Sequence, residues 1–370
     1  MKSMKRLTFF PILLLLTLLL AACGDTFTSS PTTGSSGTPT AHSQPTITPS
    51  IKAIGNFEEY ALPQSNSGLM RPAVDNAGRI WFGEMSRNYL AVFDPHSQKF
   101  QQIVPPHGLF GVMGVEVASD DTVWFAEQYA NYIGHYFPAS GQFQIYHLPT
   151  LTVPDPSDSS KTLTLPSAPN DLAFDKHGNV WFTELNAGAI GRLDPHSGLI
   201  QLYPLSAKKS VQALNPYGIA IDPQGMVWFT ESSANHVGRL DPASGQIHYF
   251  TMQGLAAPLM EIASDPHGTI WITSFSSGLL LSLNPNTGKF IPYYAPSMSG
   301  LYGVAITPTG QVWVTIAAEN VIARLDVAAN RFIYYAIPTS SSLPLGVVVG
   351  ANNTLWFTEA GSNKVGMLRP

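Results

Sequence analysis

Charge is scarce in this chain of 370 residues: Asp, Glu, Lys and Arg together supply only 12% of it. That scarcity, beside 31 Gly and 30 Pro, argues against long solvated helices and for many short strands joined by turns. Cysteine is almost absent. With Cys23 alone, an intramolecular disulfide is excluded in any redox compartment. No basic cluster offsets a formal net charge of −5, so nucleic acid is not expected as a partner. Long apolar runs are missing beyond the first two dozen residues, and the run from Leu7 to Leu20 is too short to be a convincing membrane-spanning helix.

That run has another use. Lys2, Lys5 and Arg6 form a positive stretch ahead of it, and it ends in Leu20-Ala21-Ala22-Cys23. The pattern reads as an export signal over residues 1–22, with a bacterial lipobox whose Cys23 becomes the lipid-modified first residue. Two or three acyl chains there give stable anchoring, where one gives only marginal binding. A cell-membrane, extracytoplasmic location is therefore expected. Residues 23–53, rich in Thr, Ser, Pro and Gly, cannot bury enough apolar surface to offset their ordering entropy. They read as a flexible tether.

From residue 54 onward the chain repeats itself. Its seven Trp residues, Trp81, Trp124, Trp181, Trp228, Trp271, Trp313 and Trp356, follow one another at intervals of 43, 57, 47, 43, 42 and 43. In the clearest unit, short strands a to d are expected at Ile219–Ile221, Val227–Thr230, Val237–Leu240 and Ile247–Phe250. Asp222-Pro223-Gln224-Gly225 forms the first turn. The b–c turn carries Asn88, Asn131, Gly188, Asn235, Gly278, Asn320 and Asn363 in equivalent places, residue types that tolerate positive φ. The last repeat lacks a strand d, while a lone d-like segment, Phe57–Leu62, precedes the first. The expectation is an all-β, seven-bladed β-propeller of four-stranded antiparallel blades over residues 54–370. Its N-terminal strand closes the last blade. A ring closed in this way needs no partner, and a monomer is expected.

Strand a starts, strand b ends and the d–a loops cross on one rim, where a central channel opens and a ligand is expected. Two positions per repeat face it. Eleven residues before each Trp stand Met70, Met113, Asn170, Tyr217, Met260, Tyr302 and Leu345; three after it stand Glu84, Glu127, Glu184, Glu231, Ser274, Ile316 and Glu359. Glu84, Glu127, Glu184 and Glu231 are candidate cation ligands. The same recurrence also fits a Glu that closes strand b against turn amides. Departures confined to one blade are better ligand candidates. Most repeats carry Gly where this chain has Arg71, Asp171 and Glu261, and Glu116 replaces a small apolar residue inside strand a. Asn170, Asp171, Tyr217, Glu261 and Tyr302 form the expected ligand-binding set. The d–a insertion Thr150–Pro166 lies over the same rim, as a lid or as a surface excursion.

The phrase Trp-Phe-Thr-Glu, then Asn-x-Ile/Val-Gly-Arg-Leu, preceded by Pro-Tyr-Gly-Ile, resembles the streptogramin B lyase (virginiamycin B lyase) family, over residues 57–370. The resemblance implies opening of an ester-linked antibiotic ring by elimination, helped by Mg²⁺. It also implies histidines at the start of strand a in two late blades, a Glu just before one of them, and a Glu after the last Trp. Glu359 matches the last of these. Tyr302 and Leu345 stand at the histidine positions, and Leu343-Pro344-Leu345 stands where the preceding Glu belongs. His107, in Pro106-His107-Gly108, lies in a d–a loop of an early blade and is a second candidate catalytic residue. The expected function is therefore an extracytoplasmic lipid-anchored propeller that binds a small molecule or peptide at the channel mouth. The alternatives are a Mg²⁺-assisted lyase on a streptogramin B or other lactone, a metal-dependent lactonase of gluconolactonase type, and a plain adhesion scaffold.

Overall fold

Seven antiparallel sheets of four strands follow one another along the chain. The computed structural model describes residues 51–107, 111–155, 158–205, 215–254, 258–297 and 300–370. Cys23, the export signal and the tether up to residue 50 lie outside the described residues. The innermost strands of blades 1 to 7 are Leu69–Val74, Val112–Val117, Pro169–Phe174, Pro216–Ile221, Leu259–Ser264, Leu301–Ile306 and Pro344–Val349. Each touches the next, and the seventh touches the first, so the ring is closed.

Three devices of the repeat hold the ring together. The first is the Trp, which in most blades lies against an aromatic residue of its own blade's outer strand, as Trp228 does against Phe250 at 5.3 Å, and packs into the next blade as well. Trp228 of blade 4 lies with Ile270, Ile272 and Leu281 of blade 5. Trp356 of blade 7 lies with Ile80, Phe82 and Phe93 of blade 1. Burying a side chain of this size contributes roughly 2–3 kcal/mol. In four blades an Asp six residues upstream accepts the indole N–H, as Asp222 does from Trp228 Nε1 at 2.8 Å. The Phe after the Trp fills the opposite face so tightly that a Cβ on Gly238 of the third strand would overlap the Phe229 ring.

The second device is the b–c turn. Asn88, Asn131, Asn235, Asn320 and Asn363 have φ between 54° and 60°, and Gly188 and Gly278 both have φ of 56°. The left-handed turn expected from the sequence is present in every blade. The Asn side chains also rivet the d–a loops: Asn131 Nδ2 donates to Leu148 O at 3.0 Å, while its Oδ1 accepts from Ala168 N at 3.2 Å.

The third device is closure. Strand Asn56–Ala61 pairs antiparallel with Lys364–Arg369, as expected, with Phe57 opposite Leu368 and Tyr60 opposite Val365. One boundary differs from the sequence reading. Ile51–Ala53, assigned to the tether, pairs parallel with the outer strand of blade 6, Arg331–Ala336, as a fifth strand. Alternation is too weak over three residues to reveal a strand, and the open edge of blade 6 supplies the hydrogen bonds. The 150–166 insertion is a β-hairpin of its own, Thr150–Asp155 against Asp158–Pro166.

Candidate functional site

Every innermost strand enters the ring through a bulge. In blade 4 the pairing jumps from Pro216↔Glu231 to Ile219↔Phe229, leaving Tyr217 and Gly218 outside the ladder. Bulges of this kind re-aim side chains. A threonine satisfies the displaced backbone: Gly218 N donates to Thr230 Oγ1 at 3.0 Å, and that hydroxyl donates to Met260 O of the next blade at 2.6 Å. Thr183, Thr273 and Thr315 repeat the relay. The sequence phrase contained these threonines, but nothing local distinguishes an inter-blade relay from an ordinary strand residue.

The residue after the bulge apex sits where adjacent strands crowd together. A Cβ on Gly218 would lie 2.7 Å from Met260 O, which accounts for Gly in four blades. Blades 1, 3 and 5 carry Arg71, Asp171 and Glu261 instead, and the ring brings these three together. Arg71 Nε donates to Glu261 Oε2 at 2.7 Å, Arg71 Nη2 lies 2.6 Å from Glu261 Oε1, and Nε lies 3.5 Å from Asp171 Oδ1. Asp171 Oδ2 also accepts from Ile219 N at 3.0 Å. The guanidinium stands 5.1 Å from the centre of the Tyr217 ring. Burial works against its charge, but Asp171 and Glu261 outweigh burial and hold Arg71 well above the usual range. Asp171 is pushed up to about 6 by burial, partly offset by Arg71. Two residues beyond the bulge of blade 2, Glu116 is pushed up to about 8, by burial first and then by the charge of Asp171.

These four side chains are the charged groups in the described lining of a cavity of about 540 Å³ inside the ring. Leu172, Ile219, Ile262 and Val304 supply apolar wall. The wall continues to Phe174, Ser264 and Ile306, where a second depression begins among the a–b turns. At the rim expected to hold the ligand, by contrast, the channel is filled. Tyr217 and Tyr302 hydroxyls meet at 2.6 Å, and both rings pack with Met260 and Leu345. Leu185, Phe275, Leu343 and Ala360 border this plug.

The expected ligand set therefore divides. Asp171 and Glu261 line the cavity. Tyr217 and Tyr302 belong to the plug, and Asn170 spans blades by donating to Tyr217 O at 2.9 Å and accepting from Gln128 Nε2 at 3.4 Å. The expected opening at the d–a rim is corrected, because Tyr217, Met260, Tyr302 and Leu345 of that series pack together there and the two Tyr hydroxyls meet. Glu359 accepts from Ser362 Oγ at 2.6 Å in its own blade, beside Glu59 of the closing strand. Burial raises it to about 7, with Ser362 acting in the opposite sense. His107 is exposed, in a left-handed conformation between blades 1 and 2.

The candidate metal ligands stand apart, one per blade. Glu84 accepts from Gln102, and Glu231 lies 3.4 Å from His236 Nδ1, on the side of the third and fourth strands. Glu127 and Glu184 are fully buried; the Ala130 amide faces the Glu127 carboxylate, and the Glu184 carboxylate has no hydrogen-bond partner among the described residues. Mg²⁺ requires several oxygens converging on one point, and no group of three His, Cys, Asp or Glu suited to a metal exists among the described residues. These residues do not fit a resident Mg²⁺, because the pairing of strands b and c holds each carboxylate inside its own sheet.

Glu184 has a consequence for stability. Burial pushes it up to about 8 from 4.5, so the fold favours its protonated form. Its contribution is complete below about pH 4.5 and is lost as pH rises through 8. Glu184→Gln, which has no proton to lose, is expected to be roughly 2–4 kcal/mol more stable than the parent at pH 9, with a smaller gain at pH 5. Urea titrations at the two pH values measure this; equal gains would refute it.

Comparison with known proteins follows the geometry. The virginiamycin B lyase family matches over residues 40–274. Among solved structures, the chain is similar to virginiamycin B lyase from Staphylococcus aureus, with 25% identity and a TM-score of 0.74 over 85% of this chain and 99% of that one. It is equally similar to a catalytically inactive histidine-to-alanine variant of that enzyme with quinupristin, at 25% identity and a TM-score of 0.74 over 85% and 99% of the two chains. A streptogramin B lyase structure matches at 26% identity and a TM-score of 0.74, over 85% and 97%. No curated protein matches the sequence.

Proposed function

Because the chain belongs to the virginiamycin B lyase family, we propose that it is a lipid-anchored, extracytoplasmic member that binds a small molecule or peptide in its central channel without ring-opening elimination. One observation carries this reading: Tyr302 and Leu345, at the positions where the resemblance implies histidines, are packed against Tyr217 and Met260 in an apolar plug. Leu345 has no group to accept a proton. Tyr302 is held well above its usual range, by burial and then by its neighbours Tyr217 and Glu261, so it stays protonated at neutral pH and is no general base. The Staphylococcus aureus relative is catalytically inactive when one histidine becomes alanine, and no residue of the corresponding series in this chain is histidine.

Incubation of the full-length chain with quinupristin, with and without Mg²⁺, tests the reading. No linearised product is expected by mass spectrometry; turnover above a no-protein control would overturn it. Lipid attachment is checked separately, by detergent-phase partitioning of the chain and of Cys23→Ser. The parent is expected in the detergent phase and the variant in the aqueous phase.

A further inference from the structure

We propose that the central cavity takes a small organic cation, an alkyl- or arylammonium compound, with its charged group against Glu116, Asp171 and Glu261 and its apolar part along Leu172, Ile219, Ile262 and Val304. The inference rests on the channel-binding reading above and names the ligand class.

Charge sets the class. The described lining holds three carboxyl groups and one guanidinium. Arg71 is already engaged: it spans both oxygens of Glu261 and approaches Asp171. Its Nη1 has no hydrogen-bond partner but is sealed from solvent, so it offers an anion nothing. Glu116 differs from the others. It is half-buried, lines the cavity, and has no hydrogen bond or ion pair among the described residues. A half-buried carboxyl that accepts no hydrogen bond among the described residues and faces the carboxylate of Asp171 is complemented by a positive charge and opposed by a negative one.

Shape is consistent with this. At the level of Glu116, five other repeats carry Ala73, Ala173, Ala220, Ala263 and Ala305, and the last four line the cavity with small side chains. A cavity of about 540 Å³ is within the range of small-molecule pockets. Entry runs through the depression among the a–b turns, where Asp222 and Asp265 are occupied by Trp indoles.

A cation beside Glu116 also favours its ionised form. The groups facing Glu116 are Asp171 and Arg71, with Glu261 beyond Arg71. Since burial and Asp171 raise Glu116 to about 8, a cation that binds near pH 7 should expel its proton.

Isothermal titration of the full-length chain provides the test, with benzyltrimethylammonium, benzyl alcohol and benzoate as probes of fixed charge at neutral pH. Benzyltrimethylammonium is expected to bind at least about tenfold more tightly than either other probe. Its affinity should rise several-fold from pH 6.5 to 8.5, and titrations in two buffers of different ionisation enthalpy should show proton release at pH 7. Glu116→Gln should abolish both the pH dependence and the proton release. The parent measurements decide the matter if that variant does not fold. Equal or tighter binding of benzyl alcohol or benzoate, or cation binding without proton release, would overturn the cation assignment and leave channel binding standing. Binding of no probe would remove both.

Discussion

Replacing Arg71 with methionine is expected to cost about 3–5 kcal/mol of unfolding free energy at pH 8. The substitution leaves Asp171 and Glu261, both buried, without the cation that compensates them. Removing one partner of a buried ion pair is far more damaging than removing the whole pair. The triple variant Arg71→Met, Asp171→Asn, Glu261→Gln should therefore recover most of the loss. The pH dependence follows from the same chemistry. Burial already raises Asp171 to about 6 with Arg71 beside it; without that cation its carboxyl stands above its unfolded value, so protonation relieves the penalty at low pH and ionisation restores it as pH rises through the folded value. Urea unfolding followed by Trp fluorescence should show a large loss at pH 8 and a small one at pH 4.5. Equal losses at both would mean that the arginine acts by packing its stem rather than by its charge.

Deleting the chain through Ala61 is expected to open the ring and lower the melting temperature by more than about 10 °C, or to cause aggregation. The loss is larger than six residue pairs suggest. Phe57 packs edge-on against Phe357, with centroids 6.2 Å apart. Tyr60 lies 4.4 Å from Phe93 of blade 1 and 6.3 Å from Trp356 of blade 7, so one side chain joins the two ends of the ring. Without it, the backbone of Lys364–Arg369 becomes an open strand edge. Deletion through Ala53 alone, which of the described fold removes only the fifth strand on blade 6, should cost about 1 kcal/mol or less. Calorimetry on both truncations, with light scattering to detect aggregation, makes the comparison. Similar melting temperatures for the two would refute the fastening role of the closing strand.

The fold was legible because its determinants are local and repeated seven times. A Trp interval near 43, an Asn or Gly wherever the b–c turn needs positive φ, and a displaced strand at Phe57–Leu62 each report on a few residues. They agree with one another. The site was less legible. Arg71, Asp171 and Glu261 could be picked out one by one as departures from Gly, yet 190 residues separate Arg71 from its partner Glu261. Nothing in the order of residues says that blades 1, 3 and 5 point these groups at one spot. The carboxylates after the Trp misled in the opposite way: equivalent positions suggested a shared site, but ring symmetry holds such residues apart, each inside its own sheet.

By itself, then, the sequence determined the blade count, the turn geometry, the closing strand and the absence of histidine from the series eleven before the Trp, since each depends on residue type at a known spacing. Only the tertiary structure decided which end of the channel is filled and which charges meet. Those depend on how far side chains reach across the ring axis. There, Tyr217 and Tyr302 are long enough to touch and seal one rim, while alanines around Glu116 leave the interior open.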